Sequence, residues 1–213
     1  GYCGLDNSDD RDGSVEQINA EAARLIEHIR CSNAPAHVLQ ACSDSIRQAV
    51  EQLEPWLHQG THSAAFLHEA MEDFVYESGD LTRSMPYSPV SGRRNPIAPA
   101  IRLRAEADKV LGEVEFSATY AGPPGCVHGG IIAAVFDELL SMANIANQVA
   151  GFTGSRTVRY HRPTPLHQPI QLSAHCDRTS GRKIISKGEM RANGEITASA
   201  EGLFIMPANE PAG

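Results

Sequence analysis

The sequence lacks the patterns that mark many metal- and nucleotide-dependent proteins. Its five cysteines are odd in number and scattered, so they form neither a disulfide framework nor a CxxC zinc pattern. No GxxxxGK[ST] motif for ATP phosphates occurs, and no cluster of zinc or iron ligands is visible. We therefore expect no cofactor and no metal, and the unpaired cysteines favour a reducing cytoplasm.

Positive charge and long apolar segments are also scarce. The net charge of −8 argues against binding to nucleic acid or to an anionic membrane surface. No apolar segment is long and uninterrupted enough to predict a bilayer span, and no signal peptide is visible. With 213 residues, 41% of them hydrophobic, the chain can bury a substantial core and form one or two soluble domains.

A glycine-rich turn at residues 122–130 precedes a long apolar stretch. Residues 131–150 contain no proline and no glycine, which predicts a buried helix of about 20 residues. The first amides of a helix have no intrahelical partner, and together with the helix dipole they suit an oxygen that carries negative charge. Alternatively, Gly129 and Gly130 only allow tight packing against a sheet.

Asp137 lies about two turns into this predicted helix. At about 100° per residue the apolar side chains form one face. Small or polar residues form a second stripe: Ala133, Ala134, Asp137, Ser141 and Asn144. A carboxylate there is either partly buried or paired, or it is simply an exposed residue on the solvent side of an amphipathic helix.

Three amphipathic helices are predicted before this region. Ser14 and Gln17 form a capping box for a helix that ends near Arg30. A second helix starts at residues 33–35 and is closed by Pro55 and Gly60, and a third runs from about residue 61 to 79. The chain thus divides into five parts. A disordered tail (residues 1–13) precedes a helical region (14–79) and a Pro/Gly-rich linker or extended arm that is not packed (80–99). A folded domain (100–206) and a C-terminal tail (207–213) follow.

From residue 100 onward the apolar residues alternate with a period of two. Two strands are predicted before the long helix, and four are predicted after it. Asn193-Gly194 is a strong signal for a hairpin between the last two strands. Runs of antiparallel strands around a single helix favour an α+β layer fold.

Four motifs of this domain resemble those of hotdog-fold thioesterases, in particular the phenylacetic-acid-pathway branch and its mammalian mitochondrial relatives. They are GxVHGGxIAAxFDE at 125–138, VRYHRPTPL at 158–166, GRK at 181–183 and AEGLFI at 200–205. The resemblance implies an antiparallel sheet wrapped around the helix from about 129 to 148. It also implies homodimers or homotetramers with the thioester site at the dimer interface.

The resemblance further implies hydrolysis of a fatty or aromatic acyl-CoA and a role for each site residue. The amide of Gly130, helped by Gly129, would polarise the thioester carbonyl, and His128 would hold the turn. Asp137 of the other subunit would be the general base or the nucleophile, and Thr153 would position the water.

Departures from the family pattern leave alternatives open. Gly122 stands where some members carry Asn or Gln, so that polar contribution is absent. Glu138 could act in place of Asp137, although the helical wheel places Glu138 toward the apolar side. A Cys126–His128 nucleophilic pair is disfavoured, because no third orienting group is apparent.

A basic block at residues 156–191 holds eight basic and two acidic residues in this acidic protein. Near its turns Arg162, Arg182 and Lys183 could reach the phosphates of CoA, with His161 beside them. Alternatively, the block is a solvated face of strands. A hotdog protein that binds acyl-CoA without cleaving it, and a hotdog enoyl-thioester hydratase, remain alternative functions.

Overall fold

A six-stranded antiparallel sheet with one helix across its face forms the body of the protein, in a computed structural model that describes residues 7–57, 81–149 and 151–207. The strand order is β1-β2-β4-β5-β6-β3. The strands are β1 (Arg102–Glu106), β2 (Lys109–Glu115), β3 (Phe152–Tyr160), β4 (Pro169–Ser180), β5 (Lys183–Ala192) and β6 (Glu195–Ile205), and the helices are α1 (Asn7–Cys31), α2 (Ala36–Leu53) and α3 (Gly129–Ala146).

The core lies between α3 and the sheet. Apolar residues of α3 that recur at helical spacing are buried, and they contact five of the strands, β2 to β6. On β5 every second residue is buried against the helix, which is the pattern of a strand with one solvated face. Burying one large apolar side chain in this contact stabilises the fold by about 1.5–3 kcal/mol. The predicted α+β fold, with two strands before the helix and four after it, is confirmed.

Strand β3 forms an open edge of the sheet. The strand order gives it β6 as its single neighbour in the described chain, and most of its residues are exposed. Phe152 is 75% exposed and Tyr160 54% exposed. An exposed strand edge with large apolar side chains is a template for pairing with another chain.

The β5–β6 hairpin turns where the sequence predicts it. Asn193 and Gly194 have φ angles of 51° and 79°, which a type I′ turn requires at both central positions.

Helix α1 begins earlier than predicted, and α2 lies where predicted. Residues 7–13, which we predicted as part of a disordered tail, belong to α1, so Ser14 lies inside the helix rather than at its cap. An acidic stretch at a helix start suits the helix dipole, which accounts for the longer helix. Helix α2 ends before Pro55 as expected, and the predicted third helix lies outside the described residues.

Helix α3 is long and apolar enough to cross a bilayer by length and composition, contrary to the expectation from sequence. Its apolar residues are accounted for by the sheet, because eight of its side chains are buried in the described chain.

Residues 81–100, hereafter the arm, are packed against the domain rather than forming a free linker. Leu81, Thr82, Ser88 and Ser91 are all buried. The backbone satisfies its own polar groups in successive turns, for example the hydrogen bond of 3.0 Å from the Gly92 N–H to the Ser88 carbonyl. The prediction of an unpacked segment was therefore wrong, because a short 3₁₀ helix at Leu81–Ser84 and these turns allow the arm to be buried without a strand or an α-helix.

Replacing Gly92 with Ala is expected to destabilise the protein by about 1–3 kcal/mol, because the added methyl overpacks the arm. An added Cβ would lie 2.5 Å from the Pro86 carbonyl oxygen and from the Ser88 nitrogen, both of which are backbone atoms that cannot rotate away. Urea unfolding measures the change. Gly13→Ala is the matched control, because nothing lies within 4 Å of its Cβ position in α1. Equal unfolding midpoints for the two variants would contradict the tight packing of the arm.

Candidate active site

His128 caps the start of α3. Its Nδ1 accepts a hydrogen bond of 2.9 Å from the Gly130 N–H, and its carbonyl accepts from the amides of Ile131 and Ile132 at 3.0 and 3.2 Å. The backbone of His128 is extended, as is usual at an N-cap. His128 thereby holds the glycine turn with both its side chain and its main chain.

The Gly130 amide is therefore engaged within the protomer. For its N–H to polarise a carbonyl, the hydrogen bond must pass from the His128 ring to the incoming oxygen. Both groups are exposed, so that exchange requires no rearrangement of the core. The Tyr160 hydroxyl donates a hydrogen bond of 2.9 Å to the Gly129 carbonyl and ties the helix start to the end of β3. Sequence analysis assigned no role to Tyr160, although it lies inside one of the quoted motifs.

Asp137 faces the beginning of β3. Its Oδ1 is ion-paired with the Arg156 guanidinium and accepts a weak hydrogen bond of 3.4 Å from the Thr153 hydroxyl. The Asp137 side chain is 49% exposed and that of Arg156 23% exposed. The structure therefore brings Asp137 and Thr153 together, as the family resemblance implies, and adds Arg156, which sequence analysis counted only as part of the basic block.

The neighbouring carboxylate, Glu138, has different surroundings. It accepts hydrogen bonds from the hydroxyls of Ser88, at 2.5 Å, and Ser91 of the arm. Burial raises the pKa of Glu138; the Ser88 hydrogen bond opposes that shift, and the nearby Asp137 adds to it. Glu138 thus holds the arm in place, whereas Asp137 is the carboxylate that solvent can reach.

Gly130 and Asp137 are well separated along α3. Seven residues separate Gly130 from Asp137 on α3, which at 1.5 Å per residue is about 10 Å along the helix axis. A thioester carbonyl spans only a small part of that distance.

The four candidates for phosphate contacts fall into two groups. Arg182 and Lys183 lie at the β4–β5 turn. Lys183 pairs with Ile205 of β6, and Ile205 pairs in turn with Phe152, so this turn is close to the start of β3. His161 and Arg162 follow the other end of β3, which at about 3.4 Å per residue lies about 30 Å away. The structure does not bring the four together, and the first pair lies at the Asp137 end of β3.

Existing contacts further separate these candidates. Arg162 is ion-paired with Glu195, and the His161 Nε2 lies 2.8 Å from the Ser199 hydroxyl oxygen. The Arg182 Nε donates to the carbonyl of Met206 at 2.9 Å, which fixes the stem of the guanidinium while the side chain stays exposed. Arg182 and Lys183 are therefore better placed than the other two for a ligand that approaches Asp137.

The disfavoured Cys126–His128 pair does not form. The Cys126 Sγ lies 3.5 Å from the Pro124 carbonyl oxygen, and the His128 ring faces the Gly130 amide.

An apolar pocket of about 350 Å³ lies between the arm and the first turns of α3. The Tyr120 hydroxyl at its wall donates a hydrogen bond of 3.1 Å to the Ile97 carbonyl. Burial, with a smaller effect of the Glu27 carboxylate, raises the pKa of Tyr120 to about 12, so this hydroxyl keeps its proton at neutral pH. The pocket is lined by Pro89, Val90, Ile97, Pro99, Thr119, Tyr120, Ile131, Ala134 and Val135.

Comparison with known proteins places the chain in a family. The sequence profile described as the thioesterase superfamily matches residues 124–198. The crystal structure of a thioesterase superfamily protein superposes with a TM-score of 0.74 at 30% identity, over 90% of each chain. Zebrafish thioesterase superfamily member 2 superposes with a TM-score of 0.52 at 18% identity, over 60% of this chain and 94% of its own, which supports the fold alone.

Curated relatives match over a shorter region. The acyl-coenzyme A thioesterase THEM4 of Xenopus laevis is 29% identical over 86 residues, which are 39% of this chain and 39% of that protein. THEM4 of Bos taurus is 31% identical over 39% of this chain and 35% of its own length. The match thus spans about two fifths of the length of these relatives.

An antiparallel sheet wrapped around a helix that begins with His-Gly-Gly defines a protein of the hotdog fold. With 30% identity to a solved member over nine tenths of both chains, the protein belongs to the thioesterase superfamily.

Proposed function

We propose that this chain is an acyl-CoA thioesterase that hydrolyses a fatty or aromatic acyl-CoA to the free acid and CoA. The observation that carries the proposal is the placement on α3 of two accessible groups, the amide tip at Gly130 and the Asp137 carboxylate. Membership of the thioesterase superfamily and the names of the curated relatives support the same activity.

The proposed site is shared between two copies of the chain. The open edge of β3 and the exposed Phe152 favour pairing with a second β3, which would continue the sheet across both copies. A two-fold axis at that edge sets the two α3 helices side by side and antiparallel. Gly130 of one copy then approaches Asp137 of the other, and a homodimer, or a homotetramer built from two such dimers, has complete sites.

In the proposed mechanism the carbonyl oxygen of the thioester displaces the His128 ring from the Gly130 N–H, with Gly129 assisting. One such donor is worth about 2.7–4 kcal/mol on the barrier. Asp137 removes a proton from a water held by Thr153, or attacks the carbonyl carbon itself. In the first case the water oxygen bonds to the carbonyl carbon, the carbon–sulfur bond breaks, and the thiolate takes up the proton to leave as CoA. In the second case the carboxylate displaces the thiolate and forms a mixed anhydride. Water then hydrolyses the anhydride to the free acid, which restores Asp137, and the thiolate takes up the released proton.

Thiol release tests the proposal directly. We expect release of free CoA above background from at least part of a series of acyl-CoAs that covers chain lengths and aromatic acids. Tight binding of acyl-CoA without thiol release would instead favour the binding protein. Loss of absorbance from an enoyl-CoA without thiol release would favour the hydratase.

The nucleotide phosphates of CoA are assigned to Arg182 and Lys183. Replacing both with Ala should raise KM for acyl-CoA more than for the corresponding acyl-cysteamine ester, because only the CoA thioester carries phosphates. Steady-state kinetics on both esters measure the ratio. Replacing both Arg102 and Arg104 with Ala is the matched control, because β1 forms the sheet edge opposite β3. Equal effects on both esters would remove the phosphate role.

We also propose that the protein works in a reducing compartment. The thiols of Cys31, Cys42, Cys126 and Cys176 are free, which supports a reducing environment such as the cytoplasm.

A further inference from the structure

Two separate contacts fix the arm, one to α3 and one to the 3₁₀ turn Ala118–Tyr120 that precedes α3. Ser88 and Ser91 donate hydrogen bonds to the two carboxylate oxygens of Glu138, and Pro89 and Val90 lie between these serines in the chain. At the other contact, the Tyr120 hydroxyl binds the carbonyl of Ile97. Each contact therefore holds an apolar part of the arm over the helix.

The pocket between these contacts suits a hydrocarbon. Its lining is aliphatic apart from Thr119 and Tyr120, and the Tyr120 hydroxyl is already engaged by the Ile97 carbonyl. None of the lining side chains carries a charge. A free carboxylate at the far end of an acyl group would have no cation to pair with in this pocket, and burying a carboxylate unpaired is costly.

The pocket begins where the proposed chemistry takes place. Ile131, which lines it, directly follows Gly130, and Ala134 continues the lining one turn farther along α3. Glu138 follows Ala134 by one more turn, so the contact with Ser88 and Ser91 lies toward the far end of the pocket. A thioester whose carbonyl oxygen is bound at Gly130 can extend its acyl group along this face.

We propose that the arm is the specificity element of the enzyme: it forms the outer wall of an acyl pocket that selects medium-chain or aromatic hydrocarbon acyl groups. This inference depends on the proposed thioesterase function. At about 30 Å³ per methylene-sized group, close to the volume of a water molecule in the liquid, a pocket of 350 Å³ admits roughly ten carbons. Glu138 acts here as a positioning residue, because it reaches the substrate only through the arm.

Acyl-chain profiles of Val90 variants test the inference. For the unmodified protein, kcat/KM should rise about 4-fold per methylene, which corresponds to about 0.8 kcal/mol for each buried CH₂ group, and then level off near ten carbons. Val90→Phe should move the plateau to shorter chains and lower the ratio of decanoyl to butyryl kcat/KM. Val90→Ala should move the plateau to longer chains. Val38→Phe is the matched control, because Val38 lies on α2 and does not line the pocket.

The readouts separate this inference from the proposed function. Thiol release with identical chain-length profiles for Val90→Phe, Val90→Ala and Val38→Phe would overturn the pocket and leave the thioesterase standing. Absence of thiol release from the unmodified protein would overturn the function instead. The chain-length selectivity of the pocket would then be tested by measuring the affinity of the unmodified protein and of the Val90 variants for S-alkyl-CoA thioethers of the same lengths. A shift with Val90 substitution supports the pocket, and a flat affinity profile overturns it.

The contact with Glu138 has its own readout. Replacing Ser88 and Ser91 together with Ala should broaden the chain-length profile, because the wall at Val90 is no longer held. A loss of rate that is equal at every chain length would contradict a positioning role.

Discussion

Asp137→Asn should lower kcat for acyl-CoA hydrolysis by about 10²–10⁴-fold, the usual contribution of a general base. Asn keeps the shape of Asp, yet it can neither accept the proton of water nor attack the carbonyl. KM should change little if Asp137 acts mainly in the transition state. Because the side chain is half exposed, the fold should stay intact, which circular dichroism and the unfolding midpoint will verify.

Glu138→Gln is the matched control for this prediction. The two carboxylates are adjacent in sequence, but Glu138 is engaged by Ser88 and Ser91, and a Gln carbonyl can still accept a hydrogen bond from a serine. Because Glu138 acts on the substrate only through the arm, the control should lose far less kcat than Asp137→Asn does. If Glu138→Gln abolishes turnover while Asp137→Asn keeps near-normal rates, the assignment of the catalytic carboxylate is wrong.

The sheet and the central helix could be predicted because their signals are local. Alternation with a period of two marks the strands, and Asn193-Gly194 supplies the φ angles that its hairpin needs. The apolar stretch that follows Gly130 forms a single helix that the sheet buries. Such patterns depend on neighbours in sequence, which a single chain reveals.

The arm could not be predicted, because distant residues hold it. Its prolines and glycines give the local signal of a linker, whereas its burial depends on Glu138, about fifty residues away in sequence. Asn144 is a similar case: the helical wheel places it in the polar stripe with Asp137, yet it is buried and accepts a hydrogen bond from Ser186 on β5. In each case the polar partner lies on another element, which periodicity cannot identify.

The site was predictable only in part for the same reason. Asp137 and Thr153 follow from the family resemblance and lie together in the structure. Arg156 pairs with Asp137, and Tyr160 holds the carbonyl of Gly129. Neither role could be predicted, although Tyr160 lies in a quoted motif, because both roles arise from how β3 runs beside α3.

Mixing two inactive variants should restore activity if the site is shared between copies. Gly130→Pro removes the N–H that is proposed to polarise the carbonyl. Proline at this second helical position also displaces the His128 ring and disfavours the helical backbone of Gly129, so the unfolding midpoint verifies that the variant folds. Gly130→Pro alone and Asp137→Asn alone should each be nearly inactive. In a heterodimer of the two, one of the two sites combines the intact Gly130 of one copy with the intact Asp137 of the other.

Random mixing makes about half of the dimers heterodimers with one working site each, so the mixture should recover about a quarter of the activity of the unmodified protein. The two variants are denatured and refolded together, or co-expressed, and thiol release is compared with that of each variant treated alone. A chain that carries both substitutions, mixed with the unmodified protein, is the control. If the site is shared, its heterodimers have no intact site, and the mixture keeps about a quarter of the activity, from the unmodified homodimers. If the two groups belong to the same copy, each heterodimer keeps one intact site, and the mixture keeps about half. About half of the activity in that control, with none from the two single variants, would place Gly130 and Asp137 in one protomer and contradict the shared site.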